Sequence, residues 1–148
     1  MKSFNDNKGR RWDIDITIGA VKRVLDMIKI NLLEPDKGEV PVLQRLGTDE
    51  ILLIDTIFAI ISPQAKSLNV SDEEFGASIG GKAVMDAQEA FYEELADFFQ
   101  SRGRTDRAEM VAVQKKTIDV ATKLVTEKIK AINIEEYVKQ ASGKVSIS

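Results

Sequence analysis

Thr48-Asp49-Glu50-Ile51-Leu52-Leu53-Ile54-Asp55-Thr56-Ile57-Phe58-Ala59-Ile60-Ile61 is the stretch that decides the fold class. A hydroxyl followed by two acids supplies a cap for free N–H groups and then negative charge at the positive end of a helix dipole. The residues after them are apolar almost all round a helix, so this segment belongs at the centre of a core and needs other helices about it. Pro63 has no N–H and is expected to end or kink the helix, with Gln64 to Leu68 resuming beyond it.

Working back toward the N-terminus, Asn31 to Gly47 is punctuated by Pro35, Asp36, Gly38 and Pro41 and reads as a connection with one short helical turn at Val42 to Leu46. Ile18, Val21, Val24, Leu25 and Ile28 keep helical spacing behind Thr17, a suitable N-cap. Before them Trp12, Ile14 and Ile16 alternate with Asp13, Asp15 and Thr17, the period-two pattern of a strand with one buried face. Asp6-Asn7-Lys8-Gly9 is a turn cluster, so Lys2 to Asn5 and Arg11 to Thr17 form a hairpin.

Working forward, Ser71-Asp72-Glu73-Glu74 is a capping box that opens a short helix, interrupted by Gly76 and Gly80-Gly81. A longer helix follows from about Lys82 to Phe99, with Val84, Ala87, Phe91, Leu95 and Phe98 as one stripe. Thr105-Asp106 caps a long helix to about Ile132, a short one covers Ile134 to Ala141, and 142–148 is expected to be an irregular tail. The fold class is therefore mainly α: a short N-terminal β-hairpin followed by a bundle of five or six helices with a long C-terminal helix. The expected division is a hairpin and helical core at 1–100 and C-terminal helices at 101–148, packed on the core or partly projecting.

The 148 residues include no cysteine and no histidine, which excludes disulfides, Cys/His zinc sites, thiol nucleophiles and any Ser-His or Cys-His catalytic pair. The longest apolar run is far short of a membrane span, and the N-terminus lacks the apolar segment of a signal peptide, so a cytoplasmic protein is expected. The net charge of −3 hides an uneven distribution: residues 1–48 carry +2, residues 49–99 carry −9 and residues 100–148 carry +4. The simplest account is that acidic and basic helices face each other or water.

Several groupings invite a chemical reading and fail it. Glu89, Glu93 and Asp97 lie at i, i+4 and i+8 with Glu94 beside them, but a di-iron helix site also needs histidine. Asn5-Asp6-Asn7-Lys8-Gly9 resembles a calcium loop until the ligand positions are counted back from Gly9, which puts Phe4 and Lys8 where ligands belong. Gly76-Ala77-Ser78-Ile79-Gly80-Gly81-Lys82 has P-loop spacing, but Ala83 replaces the magnesium-binding hydroxyl and no strand precedes it. No catalytic residue, cofactor or metal site is assigned, and the chain is not expected to be an enzyme. The basic residues of the last third could meet phosphates, but Glu109, Asp119 and Glu127 are interspersed among them.

Two segments together resemble a known family. One comprises Phe4 to Asp15, Val21 to Leu25 and the Asn31-Leu32-Leu33-Glu34 turn; the other is Val70-Ser71-Asp72-Glu73-Glu74-Phe75-Gly76 followed by Glu93-Glu94-Leu95-Ala96-Asp97-Phe98-Phe99. Over about the first 100 residues the chain resembles the tail assembly chaperones of long-tailed bacteriophages and prophages. The resemblance implies a non-enzymatic protein that binds the tape measure protein, and other tail proteins, during tail assembly in the bacterial cytoplasm. The basic last third has no counterpart in it. Helix-in-groove binding would supply the contact, and the residue pattern nominates Phe91, Leu95, Phe98 and Phe99 together with Val111, Ile118, Leu124 and Val125. Two other readings compete: a structural tail or connector component whose hairpin pairs with neighbouring subunits as a homo-oligomer, and, as a weaker one, a nucleic-acid-binding regulator using the basic final helix.

Overall fold

In a computed structural model, which describes the backbone of residues 1–147 and the side chains of residues 1–141, the chain is mainly helical. Strands β1 (Lys2–Asn5) and β2 (Arg11–Ile14) pair antiparallel with Phe4 opposite Trp12. Six helices follow among the described residues: α1 (Ile18–Ile28), α2 (Val42–Thr48), α3 (Glu50–Ser67), α4 (Asp72–Ala77), α5 (Lys82–Ser101) and α6 (Thr105–Ile147). The chain divides into two units, Met1–Lys115 and Lys116–Ser148.

The hairpin is built around a carboxylate. Asp6, whose side chain is fully buried, accepts hydrogen bonds from the backbone N–H groups of Lys8 and Arg10, from Arg10 Nε at 2.7 Å and from Trp12 Nε1 at 2.9 Å. Burial alone would raise its pKa, but the bonds from Arg10, Trp12 and Lys8 outweigh that and hold it at about 2. The turn is thus tied to the core through the indole of Trp12, itself fully buried. Phe75 gathers the aromatic core, meeting Trp12 edge-on at 5.4 Å and Phe4 at 6.4 Å, and Phe58 in a tilted contact at 5.5 Å. Although α4 has only six residues, it delivers that ring, and Ser71 Oγ caps it by accepting from the Glu74 N–H.

Thr17 caps α1 as expected, its hydroxyl accepting from the Ala20 N–H. The cap of α3 differs from expectation. Thr48 is the last residue of α2, where its hydroxyl donates back to the Gln44 carbonyl, and Asp49 caps α3 by accepting from the Leu52 N–H. A carboxylate outranks threonine for that position and adds charge at the dipole's positive end.

Pro63 neither ends α3 nor divides it; the helix runs on to Ser67. Proline leaves the carbonyl four residues earlier, Ala59, without its helical donor. Arg23 of α1 and Ser62 fill that role: Arg23 Nε and Ser62 Oγ both donate to the Ala59 carbonyl, and a second guanidinium nitrogen of Arg23 donates to the Ile60 carbonyl. Further along, Gln64 serves as a surrogate strand. Its amide oxygen accepts from the Asp13 N–H and its amide nitrogen donates to the Arg11 carbonyl, so α3 closes the outer edge of β2.

Gly81 joins α4 to α5 at φ +58° and ψ −123°, a conformation open in practice to glycine alone. The last expected break is also missing. The long helix and the separate short helix anticipated on either side of Asn133 are one helix, α6, which continues through 142–147; Ser148 lies outside the described residues. One asparagine costs a helix interior less than about 0.7 kcal/mol, too little to interrupt it.

Candidate partner-binding surface

The nominated residues fall into two groups. Phe91, Leu95 and Phe99 of α5 and Val111 of α6 are at most 1% exposed, and Phe98 is also buried, so all five belong to the core of the first unit. Ile118 is half-buried, and Leu124 and Val125 are exposed. As placed, Ile118, Leu124 and Val125 are the three that offer side-chain surface to another molecule.

The acidic face of α5 is largely met by lysines and the N-terminus. Lys115 approaches Glu89 at 3.9 Å and Glu93 at 4.0 Å, and Lys2 approaches Glu93 and Asp97 at 3.9 Å. Glu94, buried, is paired with the Met1 ammonium at 3.3 Å. The acidic middle and parts of the basic flanks therefore do face one another within the first unit. No group of three or more acidic side chains among the described residues is arranged to hold a metal ion, and no helix among them is long and apolar enough to cross a membrane.

The first turns of α6 are fastened to the first unit. Val111 and Ala108 are buried, the Arg107 guanidinium donates to the Leu33 carbonyl, and Gln114 reaches the Leu43 carbonyl. Burial pushes the Tyr92 phenol up to about 12, with Gln114 opposing the rise. Beside this junction a cleft of about 490 Å³ has Pro35, Pro41, Leu43, Met110 and Val113 in its walls. A second groove, of about 290 Å³, runs along β1 beside Asp86, Glu89 and Glu93 of α5. Because Asp13 N–H and Arg11 C=O point outward from β2, their partners Ser3 and Asn5 point N–H and C=O outward from β1.

In the second unit every described side chain is exposed except that of Ile118. On the helical wheel its apolar residues form two rows. Ile118, Ala121, Val125, Ile129 and Ile132 make one, in line with the buried Val111; Val120, Leu124, Ala131, Ile134 and Val138 make another, roughly 150° away at about 100° per residue. Rows so opposed cancel, which is why this helix has no single apolar side for the eye to find in sequence. Lys116, Lys123 and Lys130 recur every seven residues and so align beside the second row. Ile134, Tyr137 and Val138, exposed by 64%, 74% and 54%, were not nominated from sequence. The signal that would have found them is the four-three spacing across Asn133, hidden by the helix break assumed there.

No family model, curated protein or solved structure matches the chain. Its surface and its sequence segments are what a functional reading rests on.

Proposed function

We propose that the chain is a non-enzymatic, tail-assembly-chaperone-like protein that holds a long apolar helix of the tape measure type through the first row of α6. The observation that carries this is the row itself: Ile118, Val125, Ile129 and Ile132, the last three each more than half exposed, continue the line of a residue that is core further up the same helix. A partner helix laid along it would bury side chains worth about 1.5–3 kcal/mol each when fully covered, and i, i+4 and i+7 anchors are how helix-in-groove recognition is read. The paired segments around the hairpin and α4 support the phage-tail assignment of that partner.

Co-expression with a cognate tape measure protein tests the reading. A soluble complex is expected, lost in the Val125→Glu/Ile129→Glu double variant. A tape measure protein that stays insoluble, with no complex recovered, sinks it.

One observation favours the structural tail component as a second reading: the outward backbone groups of Ser3 and Asn5 on β1 could receive a neighbour's strand. The β2 edge, closed by Gln64, could not. Presence of the protein in purified particles distinguishes this from a chaperone that departs.

A further inference from the structure

We infer that residues 120–138 of α6 pair with the same residues of a second copy as an antiparallel two-stranded coiled coil. The second row carries the argument. Val120, Leu124, Glu127, Ala131, Ile134 and Val138 follow one another at intervals of four, three, four, three and four, the heptad seam of a supercoiled pair. The first row keeps that spacing through a charged residue too, as Ile118, Ala121, Val125, Lys128 and Ile132, but reversing it sets Lys128 against Val125, whereas the charged residue of the second row meets a small one. Val120, Leu124, Ile134 and Val138 are each more than half exposed, so the seam is uncovered in the single chain.

Glu127 decides both the occupant and its direction. In a parallel pair Glu127 would face its own copy in the middle of the seam, like charge on like. Reversing one helix sets Val120 against Val138, Leu124 against Ile134 and Glu127 against the small Ala131 of the second copy. Lys130 of each chain, and Lys128 on the other flank of the seam, then lie close to the two-fold axis beside the two Glu127 carboxylates, so each carboxylate has lysines within reach. The same register brings Lys123 alongside Tyr137, whose ring can accept a cation. The sequence is thus complementary to itself in one orientation, as an isologous two-fold contact requires. The seam is about 27 Å long and only one helix wide, at the small end of stable interfaces, so a reversible dimer is expected. The inference does not depend on the tail-assembly reading, and the first row stays open in the dimer.

The absence of cysteine makes the full-length chain suited to single-cysteine crosslinking. Val120→Cys and Val138→Cys chains, mixed well above micromolar concentration and oxidised, should give the mixed disulfide several-fold faster than either gives its own homodisulfide. They should also exceed Thr126→Cys, which lies off both rows. Light scattering should show twice the chain mass for the parent and the single-chain mass for Leu124→Glu, whose exposed site leaves the fold of the first unit intact. A monomer at every concentration overturns the inference, as does preferential Val120→Cys homodisulfide, which means a parallel pair. A monomer that uses Leu124 to bind some other helix overturns it too, because the seam then belongs to that partner.

Discussion

Helix α5 and the 116–141 stretch of α6 carry apolar residues at the same helical spacing and meet opposite fates. Ala87, Phe91, Leu95 and Phe98 of α5 are buried, while Val125, Ile129 and Ile132 of α6 are exposed. The difference lies in what each row can gain and what opposes it. The α5 row includes two phenylalanines, each burying about 150–250 Å², and its outer face is acidic, so one orientation wins. The α6 row is aliphatic, and a second apolar row lies on nearly the opposite side. Whichever row is covered, the other is left in water. A helix of that kind gives its own chain no single apolar side to bury.

The sharpest way to break this comparison is to remove the centre of the first unit. Phe75→Ala deletes the ring that joins the hairpin to α3, and should cost about 3–5 kcal/mol, read as a lower urea midpoint with the slope unchanged. A loss under about 1 kcal/mol would mean that the aromatic cluster is incidental to stability.

Next in size is Asp6. Its carboxyl is at about 2 folded against an ordinary 3.8, so the folded state binds the proton less readily. The stability this contributes, roughly 2 kcal/mol, is present above pH 3.8 and disappears as pH falls from there toward 2. Denaturant midpoints taken across that window should drop steeply in the parent. In Asp6→Asn they should start lower and lose this component of the acid slope. Equal acid slopes in the two proteins would remove Asp6 from the account.

These two predictions also mark where sequence was legible and where it was not. The hairpin, the Thr17 cap, the short α2 and the Ser71 cap are local patterns, and each is found. Strand β2 stops at Ile14 and not Thr17, because Thr17 is already the cap of α1, and α2 runs on from Leu46 to Thr48. Asp6 was legible only as a turn residue, because its buried role depends on an indole six residues away pointing inward. That helix resumes beyond Pro63 was legible, but what carries α3 through the proline without a break was not. That continuity rests on Arg23, forty positions earlier, reaching carbonyls that only the packed fold brings near. The burial of Phe91, Leu95, Phe98, Phe99 and Val111 shares that origin, since periodicity reveals a stripe and not what covers it.

Arg23 and Pro63 allow that tertiary rescue to be measured. Arg23→Met leaves the Ala59 and Ile60 carbonyls without the guanidinium and should cost about 1–2 kcal/mol. In a Pro63→Ala background residue 63 regains an N–H for Ala59, so the same substitution should cost less, with a coupling of about 0.5–1 kcal/mol. Additive costs would show that Arg23 acts only through packing.

The smallest effect on stability belongs to α6, and its smallness is the informative part. Val125→Glu and Ile129→Glu place charges on side chains that touch water already, so the unfolding midpoint of the first unit should move by less than about 0.5 kcal/mol. The same change at Val111, buried and on the same row, should unfold that unit, because a carboxylate without a partner is put in its core. Fourteen positions separate Val111 from Val125 on one uninterrupted helix. A large loss from Val125→Glu would mean that the second unit is held by the chain's own core. A negligible one leaves the row free for another molecule, and the contrast between the two sites locates the point on α6 where packing within the chain gives way to surface.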